Sequence, residues 1–166
     1  MKRTLAGLGL VVSLAIMGCQ ADGTGPADES QLAALSPAGG SVDVVVTANV
    51  TIAFTHAMMS GMEQYVALHE GSVAGPVVTG TWTWSTDRRT LTFVPASPLK
   101  IQTDYVIHAG GGMRDSQNHM VRLENGMGMG GQWATSSMMG SNSGMMGTGW
   151  QMSGGAYGMI FTFRTN

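Results

Sequence analysis

The 166-residue chain has one cysteine, Cys19, five prolines and few charges, with lysine, arginine, aspartate and glutamate making up 11% of it. A lone cysteine excludes an internal disulfide and a thiolate zinc cluster. Eight basic against ten acidic side chains give a formal charge of -2. Such a chain has no positive footprint for a phosphate backbone, so a nucleic-acid partner is not expected. The longest apolar run, Leu5 to Met17, has 13 residues and falls short of the ~20 needed to cross a bilayer. Catalytic signatures are also missing. Serines lack a nucleophile-elbow context, no Cys/His zinc spacing occurs, and Asp87, Asp104 and Asp115 fall in turn segments, so the protein is not expected to be an enzyme. What the chain has in excess is glycine, 25 residues, and methionine, 15.

The N-terminus reads as an address. Lys2 and Arg3 precede the apolar run, which ends Ile16-Met17-Gly18-Cys19 and resembles a bacterial lipobox. Residues 1–18 are then a lipoprotein signal peptide and Cys19 is the lipidated N-terminus. More than one acyl chain there would make membrane attachment stable. Gln20, rather than Asp, after the cysteine favours the outer membrane over the inner. Loss of Lys2 and Arg3 leaves six basic and ten acidic side chains. Residues 19–34 are rich in turn formers without an apolar period, as expected of a tether. The folded domain is expected over residues 35–166.

Within it, Val50, Ile52 and Phe54 alternate with Thr51, Ala53 and Thr55 in a β-branched stretch from Val44 to Phe54, the period of a half-buried strand. Further strands are expected at Gln64 to His69, Val77 to Trp84, Thr90 to Val94 and Thr103 to Ala109, separated by breakers such as Gly71, Gly75-Pro76, Asp87 and the Pro95 to Pro98 segment. A last strand, Tyr157 to Thr165, sets Tyr157, Met159, Phe161 and Phe163 on one face. No 3.6-residue apolar period persists over ten positions of the mature chain, so the class is all-β.

Leu35-Ser36-Pro37-Ala38-Gly39-Gly40, Ile52-Ala53-Phe54-Thr55, Leu91-Thr92-Phe93-Val94-Pro95-Ala96-Ser97-Pro98-Leu99, Tyr105-Val106-Ile107 and Asp115 followed by Asn118 resemble, in order and spacing, the SbsA-type bacterial Ig-like domain. The resemblance covers roughly residues 35–122 and the last strand. It implies an Ig-like antiparallel β-sandwich of about seven strands, with no shared catalytic apparatus and a role as surface spacer or binding module. Two departures stand out. Where the family usually shows Pro-Met-Asp, this chain has His56-Ala57-Met58-Met59-Ser60-Gly61-Met62. Before the last strand, a Met/Gly-rich loop occupies residues 123–155.

Thirteen methionines remain after removal of the signal peptide, and they cluster. Few of them are expected in the core, because the insert holding Met127, Met129, Met138, Met139, Met145, Met146 and Met152 has no alternation to give a dry face. Thioethers are soft, uncharged ligands that select Cu(I) or Ag(I) over hard cations, and outside the cytoplasm they replace oxidisable thiolates. His56 and Met58 continue the inward row of Val50, Ile52 and Phe54, and a helical turn would bring Met58 and Met62 together, with Met59 between them. Met113, His119 and Met120, after Gly110-Gly111-Gly112, belong to a loop able to reach the same end. The candidate ligands are therefore His56, Met58, Met59, Met62, Met113, His119, Met120, Met127, Met129, Met138, Met139, Met145 and Met146. A looser similarity links the chain to periplasmic copper-resistance protein C carriers, small sandwiches that open near a Ser-Pro-Ala-x-Gly turn and bind copper through His and Met-rich loops. Their N-terminal His ligand has no counterpart here.

The expected function is thus an envelope lipoprotein that sequesters Cu(I) or Ag(I) or passes it to a partner protein. The alternative is a structural or adhesive surface module whose insert is flexible and indifferent to metal. On that reading Met58 plugs the end of the sandwich, a usual role for methionine. His69 and His108, single residues in strands, are expected to be solvated or hydrogen-bonded rather than ligands. Trp82 and Trp84 should pack in or over the sandwich, and Trp133 and Trp150 should anchor the insert.

Overall fold

A computed structural model describes residues 29–139 and 149–166. Among the described residues nine strands form two packed sheets: β1 (Leu32–Ser36), β2 (Ser41–Val44), β3 (Val50–Phe54), β4 (Val66–Glu70), β5 (Gly80–Trp84), β6 (Thr90–Pro95), β7 (Asp104–Ala109), β8 (Gly131–Trp133) and β9 (Met159–Thr165). One sheet runs β1-β3-β6-β5 and the other β2-β9-β7-β4, with β8 added beside β9. All pairs are antiparallel except β2 with β9.

Period-two alternation supplies the core. Val50, Ile52 and Phe54 of β3 and Leu91 and Phe93 of β6 face Val66 and Leu68 of β4, Tyr105 and Ile107 of β7 and Met159, Phe161 and Phe163 of β9. Each such side chain, fully buried, contributes ~1.5–3 kcal/mol. Trp84 lies 5.9 Å from Phe54 and Trp82 4.7 Å from Phe93 between ring centroids, closing the β5 edge. At the far corner the Lys100 N–H donates to the Tyr105 hydroxyl at 2.8 Å. A buried tyrosine bonded to backbone a few residues upstream is a recurrent device of Ig-like sandwiches.

Two expectations change. The domain does not begin at Leu35: Leu32, inside the expected tether, is 1% exposed and opens β1, which pairs with β3. The stretch from Val44 to Phe54 is not one strand, since β2 ends at Val44 and a turn closed by Ala48 N–H to Val45 O precedes β3. The described part of the insert is ordered. It carries the 3-10 helix Glu124–Met129, strand β8 and a 3-10 turn at Ser136–Met138.

The described part of the insert packs on the outer face of the second sheet, which in a two-layer sandwich would meet solvent. Ala134, Met139 and Tyr157 pack there on Val73, Val106 and Ile160 in a second apolar cluster. β7 is consequently buried on both faces from Tyr105 to Ala109.

Candidate functional site

The two methionine-bearing loops next to β3 and after β7 meet at one end of the sandwich. Met58 and Asp115 form an isolated antiparallel bridge, the Met59 N–H donates to Arg114 O at 3.0 Å, and the Ser116 N–H donates to Ala57 O at 2.8 Å. Arg88 ties the first loop to the neighbouring β5–β6 turn through Nε donating to Met58 O at 2.6 Å. The helical route expected for Met58 and Met62 is not taken. Gly61, at a φ of 82° that favours glycine, turns the chain, and the 3-10 helix starts only at Met62 and runs to Tyr65. Trp84 Nε1 fastens that helix by donating to Glu63 Oε2 at 2.8 Å. This bond holds the Glu63 carboxyl below its usual range.

Met58, Met62 and Met113 are nevertheless gathered in the same core cluster. Two of their sulfurs already have partners. The Ser30 hydroxyl donates to Met58 Sδ at 3.6 Å, and the Arg114 N–H donates to Met62 Sδ at 3.1 Å. At the rim Met59 is half-buried and Met120 is 44% exposed. His119 stands over the buried Asp115 carboxyl, with Nδ1 3.4 Å from Oδ2. Asp115 Oδ1 accepts the N–H groups of Gln117 and His119, which fixes the turn, while Oδ2 has no hydrogen-bond donor among the described residues. His56 is half-buried, with Nδ1 3.0 Å from the Thr55 hydroxyl.

The remaining candidates lie elsewhere. Met127 is exposed and Met129 half-buried on the helix Glu124–Met129, with Met129 O accepting from Gly39 N–H at 3.1 Å. Met138 is exposed, and Met139 is buried on the outer face of the second sheet. Cys19, Met145 and Met146 lie outside the described residues. The structure thus brings together the 58–62 and 113–120 groups, while Met138 and Met139 lie on and beside the outer face of the second sheet and Met152 packs against Gly111. The expectation that few methionines are core does not hold: Met58, Met62, Met113, Met139 and Met159 are all buried. The extra core is the surface under the insert and the sandwich end, both invisible to a search for alternation.

No three of His, Cys, Asp and Glu converge on a metal-sized site among the described residues, so thioethers and individual imidazoles are the donors on offer. A cleft of about 530 Å³ opens between β8 and the segment before β9, lined by residues that include Trp133, Met152 and Ala156.

Two histidines expected only as single strand residues sit together on the outer face of β4 and β7. His69 and His108 are diagonal neighbours there, their ring centroids 6.2 Å apart. Both are hydrogen-bonded, as expected, yet neither is solvated: their exposures are 4% and 0%. Burial pushes the His69 pKa down and that of His108 down to about 4. Trp150 covers His108 at 4.6 Å and meets Tyr65 edge-on at 6.3 Å. The signal was there in Tyr105-Val106-Ile107-His108-Ala109, an almost continuous apolar run of the kind that marks a strand buried on both faces.

The sequence profile of the bacterial Ig-like domain matches residues 27–128, and the chain belongs to that family. No curated protein matches the chain. Among solved structures, L,D-transpeptidase 1 of Mycobacterium tuberculosis is similar at 23% identity and a TM-score of 0.39, covering 48% of this chain and 35% of its own. This chain therefore spans about a third of that enzyme. CopC of Methylosinus trichosporium OB3b is similar at 14% identity and a TM-score of 0.47, over 82% of this chain and 93% of its own. PcoC of Escherichia coli, a methionine-rich copper-resistance protein, is similar at 10% identity and 0.46, over 83% and 99%. At these identities the likeness is one of fold.

Proposed function

We propose that this protein is a bacterial envelope lipoprotein, anchored through Cys19 and facing out of the cytoplasm, whose methionine-rich sandwich end takes up Cu(I) or Ag(I). It would sequester the ion or hand it to a partner protein. The observation that carries this reading is the joining of two separate thioether-bearing loops by the Met58–Asp115 bridge. Met59 and Met120 stand at the rim, where an arriving ion meets them first, and Met58, Met62 and Met113 lie behind. Neutral sulfur donors suit a soft monovalent ion and give little to Mg²⁺ or Ca²⁺. Outer-membrane placement follows from Gln20 after the lipidated cysteine.

A second reading, a structural module with no metal, is favoured by the hydrogen bonds that Met58 and Met62 sulfurs already accept from Ser30 and Arg114. One titration separates the two. Residues 20–166 are titrated with Cu(I), anaerobically and under reducing conditions, against a competing chelator. Stoichiometric binding that is lost when Met58, Met59 and Met62 become Leu supports the carrier. Failure to compete at all leaves the structural module.

A further inference from the structure

We propose that His69 and His108 form a second soft-metal site, separate from the thioether end, that holds one Cu(I) or Ag(I) beneath the insert. The ring nitrogens carry the argument. His69 Nδ1 lies 3.0 Å from Gly75 O, and His108 Nε2 contacts Tyr157 O. A carbonyl only accepts, so each of these nitrogens carries the proton. The lone pairs then sit on His69 Nε2 and His108 Nδ1, both buried and without a hydrogen-bond partner among the described residues.

Buried polar atoms are ordinarily satisfied, and two orphaned acceptors on one small patch require an explanation. The arrangement is the one metal-binding imidazoles adopt, with the distal N–H given to a carbonyl that fixes tautomer and ring orientation. Spacing agrees. With a metal–nitrogen bond of ~2 Å on each side and each nitrogen about 1 Å from its ring centre, two imidazoles holding one ion in a straight line have centroids roughly 6 Å apart. The observed separation is 6.2 Å.

The surroundings choose the charge. The described side chains packed on this face, Val73, Ala134, Met139, Tyr157 and Trp150, are apolar or aromatic. Two neutral ligands in a buried, apolar place tolerate a monovalent ion far better than a divalent one. The Trp150 ring over His108 adds a π-face that favours a cation. The low basicity of His108 also keeps its lone pair unprotonated well into the acid range. Met139 belongs to the same apolar cluster as Val106 and Ile160, the register partners of His69 and His108.

The test uses the mature chain, residues 20–166, with silver nitrate in chloride-free buffer. Silver X-ray absorption of the loaded protein reports the donor atoms without any substitution, and a nitrogen shell is expected beside any sulfur shell. In the Met58→Leu, Met59→Leu, Met62→Leu variant the nitrogen shell and its equivalent of Ag(I) should persist. In the His69→Gln, His108→Gln variant, checked for folding by thermal unfolding, that equivalent should be lost. A first shell of sulfur alone in the unsubstituted protein overturns this site and leaves the thioether reading standing. A nitrogen shell unaffected by the two histidine substitutions overturns it as well.

Discussion

The indole of Trp150 lies on the imidazole of His108, 4.6 Å between centroids and tilted by 45°. This contact fastens the end of a Gly-rich insert to the middle of the second sheet. The chain makes room for it with glycine: a Cβ at Gly110 would stand 2.6 Å from Trp150 Cε3, and one at Gly111 2.2 Å from Met152 Cγ. Trp150→Ala should therefore release the segment and re-solvate His108. Because Trp150 is only half-buried, the expected loss is about 1–3 kcal/mol, below the usual cost of deleting a fully buried tryptophan. Urea unfolding measures it, and NMR titration should find the His108 pKa moved up toward 6.5. An unchanged pKa would mean that the indole does not shield the ring.

The same burial gives stability a pH dependence. In the folded protein His108 binds its proton only near about 4, against an ordinary 6.5, and His69 is shifted in the same direction. The unfolded chain takes up these protons first on acidification, so stability present above pH 6.5 is lost as pH falls toward 4. His108 alone accounts for about 3 kcal/mol of that loss at ~1.4 kcal/mol per pKa unit. Glu63, whose carboxyl is held low by Trp84, adds a loss only below its ordinary 4.5, leaving the window above to the histidines. Urea midpoints at pH 7.5, 6, 5 and 4 should fall steadily in the native protein and much less in a folded His108→Gln variant. Equal slopes would rule out the histidine origin.

The strands that form the main core were legible because each carries its own pattern. Val50-Thr51-Ile52-Ala53-Phe54 and Thr90 to Val94 alternate, and they fold against one another as that alternation requires. The meeting of the loops around Met58 and Met113 was legible from their place beside β3 and β7. The insert was not. β8 is Gly131-Gln132-Trp133, three residues whose pairing is decided by β9 rather than by any local preference. Gly126 and Gly131 are needed because Met159 and Phe161 press on them, a reason that exists only after folding. The histidine pair stayed hidden for the same cause, since what buries it is the insert.

Two glycines of that insert give opposite expectations. A Cβ at Gly126 would come 2.2 Å from Met159 Sδ and 2.7 Å from Phe161 Cζ, both core side chains, whereas one at Gly128 meets nothing within 4 Å. Gly126→Ala should cost about 1–3 kcal/mol through overpacking. Gly128→Ala, two residues away on the same short helix, should be neutral or stabilise by up to ~1 kcal/mol through the unfolded chain. Thermal unfolding of the two variants side by side checks the packing of this helix on the core. Similar midpoints would mean that it is not seated there.

Burial also ranks the methionines by reactivity. Met127, Met120 and Met138 are 53%, 44% and 38% exposed, whereas Met58, Met113 and Met159 are at 0%. Dilute peroxide followed by peptide mass spectrometry should convert the first three to sulfoxide well before the last three, by roughly tenfold or more in rate, since access governs thioether oxidation. Oxidation of Met58 in step with Met120 would contradict the closed end of the sandwich.

Arg88 joins the β5–β6 turn to the methionine loop, and its contacts separate two effects of replacing it. Its guanidinium gives Nε to Met58 O at 2.6 Å and lies with Cζ 5.7 Å from the Trp84 ring centroid, while its backbone sits at a φ of 56°. Loss of a charged donor to a buried carbonyl costs about 1.5–3 kcal/mol, and the left-handed backbone costs a non-glycine residue ~1–2 kcal/mol. Arg88→Ala removes the bond and keeps the backbone cost. Arg88→Gly removes both, so it should be the milder change by about 1 kcal/mol in urea unfolding. In both variants amide exchange at Met58 and Met59 should quicken relative to the core strands, because the loop keeps only the backbone bond from Met58 N–H to Arg88 O as its tie to that turn. An Ala variant as stable as the native protein, with exchange at Met58 unaltered, would show that the Met58–Asp115 bridge and the backbone bond to Arg88 O hold the loop without the guanidinium.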